Sequence, residues 1–415
     1  MTVDLDPFRP DRVTGPLSDR MQVFSDASVL SAVDVHTALR LAALTGTTDD
    51  LAVLAAAFAV RAPRYGHVFA QLDALSGTVT DEDGRAVEVD PGMWPDIAVW
   101  ASAVGASPLV TVGEGGTAPL HLDGTRLYLD RYWRHEHGVA AALQRRASGL
   151  PALVVPEAAH AAMEGLFAGR AEVGSGDGGG ATQPNAEQRD AAVKALSRRL
   201  SVVAGGPGTG KTATIASIVA VALDHVRRPD GRRVRVAVAA PTGKAAARLG
   251  EAMRQSAATM PRDHVDPGVL ADVEPRTIHR LLGGTHTRGR FRHDADNCLD
   301  VDLVVVDEVS MVPLGLLGQL LDAVPPQAAV VLVGDPDQLA SVEAGTVLGD
   351  LVADAVEPGS PLQGNVVTLQ RGYRFDAAIA AFADAIRGGD GDAALDCLTR
   401  DPTDLAGTPL ALVVP

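Results

Sequence analysis

The sequence predicts an α/β protein in which a mainly helical N-terminal domain precedes a doubly wound parallel sheet. Two patterns indicate this architecture. Short, mainly apolar runs rich in valine are each followed by a loop and a helical pattern, as is typical of buried parallel strands. A glycine-rich stretch, Gly174–Gly180, separates these runs from an earlier region in which helical apolar patterns prevail. The four apolar runs cover residues 200–204, 234–239, 303–306 and 330–333.

The first 170 residues combine helical patterns with short strand-like runs. The helical patterns are Val29–Leu44, Leu51–Val60 and Val139–Arg146, and the strand-like runs are Pro108–Val112 and Arg126–Leu129. We therefore expect a mainly helical domain with a small sheet. The predicted division of the chain is an N-terminal domain at 1–170, a flexible linker at 171–184, a sheet domain at 185–358 and the incomplete start of a further domain at 359–415.

The composition excludes several classes of protein. Of the 415 residues, 46% are apolar and 21% are charged, which is enough chain for two or three domains with cores of their own. The longest wholly apolar run, Leu51–Val60, has about half the length that a membrane-spanning helix needs. The two cysteines, Cys298 and Cys397, cannot supply a disulfide framework or a four-cysteine zinc site. No signal-peptide pattern opens the chain, so we expect a soluble cytoplasmic protein without a membrane partner.

Positive charge is concentrated in one part of an acidic chain. The formal net charge is −16, yet residues 225–293 hold 14 basic and 6 acidic side chains, a net of +8. We call this segment the basic island. Because nucleic-acid affinity depends on local charge, the basic island is a candidate site for phosphate-backbone binding. A solvated basic surface without a partner is the alternative interpretation.

A phosphate-binding motif follows the first apolar run. Gly205-Gly206-Pro207-Gly208-Thr209-Gly210-Lys211-Thr212 fits the pattern G-x-x-x-x-G-K-[ST] and precedes a helical run, Ala213–Leu223. In this pattern the glycines let backbone N–H groups surround phosphates at a helix N-terminus. Lys211 is expected to bind the β- and γ-phosphates and the Thr212 hydroxyl to bind Mg²⁺. The motif predicts an ATP site with Mg²⁺ as its cofactor.

Two carboxylates end the third apolar run. Asp307 and Glu308 follow Leu303–Val306 directly. Asp307 is expected to hold Mg²⁺, and Glu308 is expected to act as general base toward the attacking water. Such a strand end is common on its own, but about a hundred residues after a phosphate-binding loop it predicts the hydrolytic half of an ATPase site.

Three further segments narrow the function. They are Ala240–Leu249 after the second apolar run, Thr277–Gly283 in the basic island, and Leu332–Leu339 at the end of the fourth run. With these segments the sequence resembles superfamily 1 helicases, whose motifs run in the same order. Asn185–Gln188 resembles the Q motif of that superfamily. Several strings, Tyr373-Arg374-Phe375 among them, are similar to the RecD family, the helicase subunits of RecBCD-type exodeoxyribonuclease V.

The resemblance covers nearly the whole chain and implies a RecA-like P-loop NTPase fold with specific residue roles. Gln188 would contact adenine, Gln338 would sense the γ-phosphate and couple it to DNA, and Arg374 would contact the γ-phosphate. The residues that would line a single-strand DNA track are Thr242, Lys244, Thr277 and His279.

The resemblance also implies an activity and partners. We expect an ATP-dependent 5′–3′ DNA helicase that acts on single-stranded DNA at duplex ends, with RecB-like and RecC-like subunits, in double-strand break repair by recombination. Nothing resembles the family's motifs V and VI, and only 41 residues follow Arg374, so the chain is expected to be truncated relative to the family. A non-catalytic ATP-binding assembly subunit and a stand-alone RecD-like helicase remain the alternatives. A conjugative relaxase-helicase is disfavoured because no tyrosine-plus-histidine nickase pattern is present.

Overall fold

The computed structural model describes residues 17–76, 79–81, 83–113, 115–149, 153–168, 186–284, 291–338, 344–345, 347–370, 381–383, 385–386 and 388–399. The described residues form two compact units. The first unit holds the chain up to Val139 together with Pro313–Gly315 and residues 344–345, and the second holds the remainder. Among the described helices, none combines the length and apolar character needed to cross a membrane.

The first unit packs helices around a small mixed sheet, as the sequence predicts. The described strands β1, β6, β5 and β4 lie side by side in that order, with β1 and β5 antiparallel to β6 and β4 parallel to β5. A separate hairpin joins β2 to β3. The elements are α1 (Asp19–Asp26), α2 (Ala32–Thr45), α3 (Asp50–Arg61), β1 (Phe69–Gln71), β2 (Val79–Thr80), β3 (Ala86–Val87), α4 (Ile97–Gly105), β4 (Val110–Val112), β5 (Leu120–Asp123), β6 (Arg126–Leu129) and α5 (Asp130–Ala147), which continues into the second unit.

The helix α3 lies at the centre of the first unit. Nine of its 12 residues are buried, among them Leu54 and Phe58. The helix begins where the Asp49 carboxylate accepts the N–H groups of Leu51 and Ala52, which are two of the donors that a helix start leaves unpaired. The continuously apolar run that the sequence shows here is therefore a buried helix.

Six described strands of the second unit form one parallel sheet in the order β12, β7, β11, β10, β8, β9. The four apolar runs predicted as buried strands are confirmed as β7, β8, β10 and β11, with three of the four wholly buried. The strands are β7 (Leu200–Gly205), β8 (Val236–Ala240), β9 (Arg276–Thr277), β10 (Leu303–Val306), β11 (Ala329–Gly334) and β12 (Val366–Leu369).

Helices cover this sheet and extend its core beyond the boundaries that the sequence suggests. Buried residues of α6, such as Met163 and Phe167, share one core with α7 and α8, although the sequence places them in the N-terminal domain. β12 pairs with β7, so the sheet continues past residue 358. The described helices of the second unit are α6 (Glu157–Ala168), α7 (Ala186–Ser197), α8 (Lys211–His225), α9 (Gly243–Thr259), α10 (Ile278–Leu281), α11 (Leu314–Ala323), α12 (Val347–Asp354) and α13 (Gly391–Thr399).

The parallel sheet brings the motifs to one edge. Because all strands run in the same direction, their carboxyl ends meet on one side, where α/β sheets bind their ligands. Val306 is aligned with Ala239 of β8 and with Leu332 of β11. The segments that follow β7, β8, β9, β10 and β11 therefore all begin at this carboxyl edge. The predicted glycine-rich linker lies outside the described residues and stays a prediction.

Candidate nucleotide-binding site

The phosphate loop connects β7 to α8, as the motif predicts. Gly205 ends the buried strand and Lys211 begins the helix. Between them Gly208 and Gly210 have φ values of +79° and +89°, a left-handed backbone that side-chain-bearing residues rarely adopt. The Thr209 hydroxyl donates to the carbonyl oxygen of Gly206 at 2.9 Å. The loop is thus closed on itself by its own side chain.

The Lys211 ammonium lies inside this loop. Its Nζ donates to the carbonyl oxygens of Gly205 at 2.6 Å and of Gly206 at 2.9 Å. A compact ammonium fits between two such carbonyls, whereas a planar guanidinium presents a wider fork of donors. Thr212, the next residue of α8, lines the same cavity. Both predicted phosphate and metal side chains of the loop therefore face one space.

Asp307 follows β10 and is 8% exposed. Its Oδ1 accepts the backbone N–H of Glu308 at 3.0 Å. Burial, and to a smaller extent the negative charge of Glu308, raise the pKa of the Asp307 carboxyl to about 6, although the backbone hydrogen bond and the Lys211 charge act in the opposite direction. The positive charge near Asp307 is therefore too small to offset the burial of its ionised carboxylate.

Glu308 has an unusual backbone and a buried oxygen without a partner. Its φ of +54° places it in the left-handed region, where a non-glycine residue costs roughly 1–3 kcal/mol. Within the described residues its Oε2 has no hydrogen-bond partner, although it is buried. Two carboxylates, one of them with an unpaired oxygen, stand opposite the single ammonium of Lys211. Hard oxygen donors that lack positive charge fit a divalent cation such as Mg²⁺.

These side chains surround a cavity of about 620 Å³. This volume lies within the usual range for small-molecule sites, roughly 300–1,000 Å³. Gln188, Glu308 and Gln338 line it together with the phosphate loop, so most of the predicted ATP-site residues are brought together. Arg374 lies outside the described residues, and its expected contact with the γ-phosphate stays a prediction.

One wall of the cavity was missed by the sequence analysis. It is formed by α9, the helix that follows Thr242. The first lining residue of α9 is followed by others three, four and seven positions later, so all of them share one face of the helix. A stripe of small and uncharged polar side chains at this spacing is the signal that could have revealed it. The lining residues of α9 are Ala252, Gln255, Ser256 and Thr259.

Gln188 lies against the phosphate loop. It is 5% exposed, and its Nε2 donates to the carbonyl oxygen of Thr209 at 2.9 Å. A Cβ placed on Gly210 would collide with the same amide, so the helix α7 and the loop fit closely. The side chain reaches the cavity, as the Q-motif resemblance implies. Its contact with adenine stays a prediction.

The four predicted DNA-binding residues follow two neighbouring strands. The hydroxyls of Thr242 and Thr277 accept N–H groups at the starts of α9 and α10, at 3.2 Å each. Thr277 is aligned with Ala240 in the β8–β9 pair, which places both helix starts at the same edge of the sheet. Lys244 and His279 are exposed there. The arrangement provides a polar, partly basic surface beside the nucleotide cavity.

The basic island divides into two parts in space. The loop that enters β8 carries Arg228, Arg232 and Arg235, which pair with Asp302, Asp230 and Asp300 respectively. This loop precedes β8 and therefore lies at the amino edge of the sheet, opposite the cavity. In the described residues, the exposed side chains of Lys244, Arg248 and Arg280, which follow β8 and β9, make no ion pair. Free positive charge thus remains at the carboxyl edge.

The chain is similar to known proteins over most of its length. A family profile described as the RecBCD enzyme subunit RecD, N-terminal domain, matches residues 26–128, and an AAA domain profile matches residues 188–344. The chain is 43% identical to the RecBCD enzyme subunit RecD of Mycobacterium tuberculosis over 387 residues, which is 92% of this chain. The chain is therefore similar to RecD subunits over nearly its whole length. The AAA profile lies mainly within the second unit, in agreement with the predicted P-loop NTPase fold.

Two other relatives differ in how much of this chain they match. The RecD subunit of Mycolicibacterium smegmatis is 42% identical over 90% of this chain and 60% of its own length. The ATP-dependent RecD2 DNA helicase of Deinococcus radiodurans is 40% identical over 39% of this chain and 19% of its own length. The chain spans about 60% of the length of the two RecD subunits from Mycobacterium tuberculosis and Mycolicibacterium smegmatis.

Proposed function

We propose that this chain is the ATP-dependent 5′–3′ DNA helicase subunit of a RecBCD-type exodeoxyribonuclease V. The observation that carries the proposal is the single cavity into which Lys211, Thr212, Glu308 and Gln338 converge, with the buried Asp307 next to Glu308. These groups supply phosphate binding, metal binding and a general base, which together are what ATP hydrolysis requires. Because the chain is similar to RecD subunits, we propose that ATP hydrolysis is coupled to movement along DNA.

Each side chain has a specific task in this proposal. Lys211 would leave the carbonyls of Gly205 and Gly206 to bind β- and γ-phosphate oxygens. Thr212 and Asp307 would hold Mg²⁺, whose charge, when it is bound, offsets the negative charge of the phosphates. The unpaired Oε2 of Glu308 would accept the proton of the attacking water.

The DNA strand would bind beside the cavity. Thr242, Lys244, Thr277 and His279 begin helices at the same edge of the sheet as the phosphate loop, and their surface carries free positive charge. Contacts from this surface to a single-strand backbone would be sequence-independent. Gln338 lies in the cavity and would link γ-phosphate release to the DNA-bound segments.

Partners and setting follow from the relatives. Those relatives are named as subunits of the RecBCD enzyme, and the profile that matches residues 26–128 describes the N-terminal domain of the same subunit. We therefore propose RecB-like and RecC-like partner subunits, single-stranded DNA at duplex ends as substrate, and a cytoplasmic role in recombinational double-strand break repair.

The test is DNA-stimulated phosphate release, measured with the partner subunits present. Wild-type protein should hydrolyse ATP faster when single-stranded DNA is added and should unwind a duplex with a 5′ tail in preference to one with a 3′ tail. Glu308→Gln should bind ATP and DNA but lose turnover, because an amide cannot accept the water proton. Asp272→Asn, which removes an exposed carboxylate outside the cavity, serves as the control.

Two outcomes would contradict the proposal. ATP binding without DNA-stimulated turnover in the wild-type complex would favour a non-catalytic assembly subunit. Full helicase activity with no association with RecB-like and RecC-like chains would favour a stand-alone helicase.

A further inference from the structure

The first turn of α7 contacts two separate stretches of backbone through adjacent side chains. Gln188 Nε2 donates to the carbonyl oxygen of Thr209 at 2.9 Å. Glu187 Oε2 accepts the backbone N–H of Gln370 at 2.8 Å. Thr209 belongs to the phosphate loop, whereas Gln370 directly follows β12. One helical turn therefore joins the nucleotide site to a segment more than 180 residues away in sequence.

β12 itself packs against the start of the phosphate loop. Leu369 is aligned with Gly205 in the β12–β7 pair. A Cβ on Gly205 would lie only 3.0 Å from both the Cβ and the carbonyl oxygen of Leu369, so glycine permits this close approach. Lys211 donates to the carbonyl of the same Gly205. A phosphate that draws Lys211 away thus changes the contacts of a residue against which the end of β12 is packed.

We infer that Glu187 is a positioning residue, which holds the end of β12 against the nucleotide site so that nucleotide occupancy is transmitted to the Gln370 backbone. The inference rests on the proposed function, and it concerns Arg374 because the RecD resemblance implies that this residue, four positions further along the sequence, contacts the γ-phosphate. A carboxylate suits this position because it accepts an N–H group and lies in the first turn of a helix, where the macrodipole favours negative charge. The contacts from loop to strand end are continuous, which provides a physical path for such coupling.

Steady-state ATP hydrolysis by the full-length protein in its complex tests the role of Glu187. Glu187→Ala should lower kcat roughly five- to tenfold, as expected for loss of one solvent-exposed hydrogen bond, and leave KM for ATP nearly unchanged. Glu187→Gln should retain most of the rate, because the amide oxygen can still accept from Gln370. Gln188→Ala should instead raise KM, because that side chain contacts the phosphate loop.

Glu164→Ala is the matched control. It removes a carboxylate that also pairs with α7, through Arg189 at 3.1 Å, and that belongs to α6 and not to the turn that bonds Gln370. It should leave both kinetic constants unchanged. In an Arg374→Ala background, Glu187→Ala should cause no further loss, since both changes affect the same step. Three results would each overturn the inference. They are a kcat of Glu187→Ala equal to that of the Glu164→Ala control, a rise in KM without a change in kcat, and losses of kcat that add in the double variant with Arg374→Ala.

Hydrogen exchange separates this inference from the proposed function. Adding MgATP should protect the Gln370 amide from exchange in wild-type protein and in Glu187→Gln, but not in Glu187→Ala. If the wild-type complex binds ATP without turnover, the proposed function fails, and exchange alone decides on Glu187. Nucleotide-dependent protection that is the same in Glu187→Ala as in wild type would overturn the inference in either case.

Discussion

Replacing Asp307 with asparagine should stabilise the second unit when nucleotide and metal are absent. Burial raises the pKa of this carboxyl from its ordinary 3.8 to about 6. A change of this size corresponds to about 3 kcal/mol, which is the free energy that the ionised side chain costs the folded protein at neutral pH. Asparagine has a similar shape, keeps an oxygen to accept the N–H of Glu308, and carries no charge.

The effect of Asp307→Asn should depend on pH with a definite sign. The unfolded chain releases the Asp307 proton near pH 3.8, whereas the folded protein holds it until about pH 6. Between these values the folded state binds more protons, so this carboxyl makes the free energy of unfolding fall as pH rises. The stabilisation from Asp307→Asn should therefore be about 1.5 kcal/mol at pH 5 and should reach about 3 kcal/mol above pH 6.

The measurement needs a probe in the second unit. The three tryptophans, Trp94, Trp100 and Trp133, all belong to the first unit, so their fluorescence would report on the wrong part of the protein. Hydrogen exchange of the amides of Leu303–Val306, in a metal-chelating buffer with increasing denaturant, reports the stability of the sheet beside Asp307. Asp272→Asn, which removes an exposed carboxylate, should show no such gain.

Asp307→Asn should no longer be stabilised by the Mg²⁺ that accompanies ATP. MgATP should protect the wild-type sheet more than ATP with a chelator, and Asp307→Asn should show no difference between the two conditions. Equal stability of wild type and Asp307→Asn at pH 7, or a gain that does not change between pH 5 and pH 7, would refute the argument from burial and charge.

Three further predictions concern the loop and the DNA surface. Lys211→Ala should abolish tight MgATP binding in a filter or fluorescence assay without unfolding the protein. Lys211→Arg should be nearly as damaging, because a guanidinium does not fit where the ammonium lies between two carbonyls. Wild-type affinity for MgATP in the arginine variant would refute this explanation. Gly210→Ala should cost roughly 1–3 kcal/mol, because it is strained at φ +89° and collides with Gln188, whereas Gly243→Ala, with open space at its Cβ, should be tolerated when both are compared by denaturation. Lys244→Ala should flatten the dependence of log K on log salt by roughly 0.7 in single-strand DNA binding, and an unchanged slope would exclude a phosphate contact.

Local pattern was enough to locate the strands and the phosphate loop. Leu303–Val306 is wholly apolar because both faces of β10 are buried, and a pattern of that kind is visible in sequence. Gly208 and Gly210 are glycines because the backbone there is left-handed, which the motif already encodes. The cavity residues at strand ends could be predicted for the same reason, since parallel strands place their carboxyl ends together.

What the sequence could not show depends on pairing between distant segments. Val366–Leu369 is partly exposed, with Val367 and Leu369 buried, and only its alignment with β7 makes it part of the sheet. The α9 wall of the cavity was missed because its polar side chains look like an ordinary solvated helix face until the phosphate loop is placed beside them. The helix α6, which buries only one face, lacks any motif, so its place in the core of the second unit follows from packing alone.

The net charge counted along the basic island is larger than the positive charge that remains free to bind DNA. The basic island has a net charge of +8 over residues 225–293, but Asp300 and Asp302, which lie outside that window, pair with its arginines at the amino edge of the sheet. Free charge remains on Lys244, Arg248 and Arg280 at the carboxyl edge. Each phosphate contact on a single strand contributes roughly 0.7 to the slope of log K against log salt, so three or four contacts predict a slope near −2 to −3. A slope near −6, as eight free charges would give, would show that the amino-edge arginines also bind DNA.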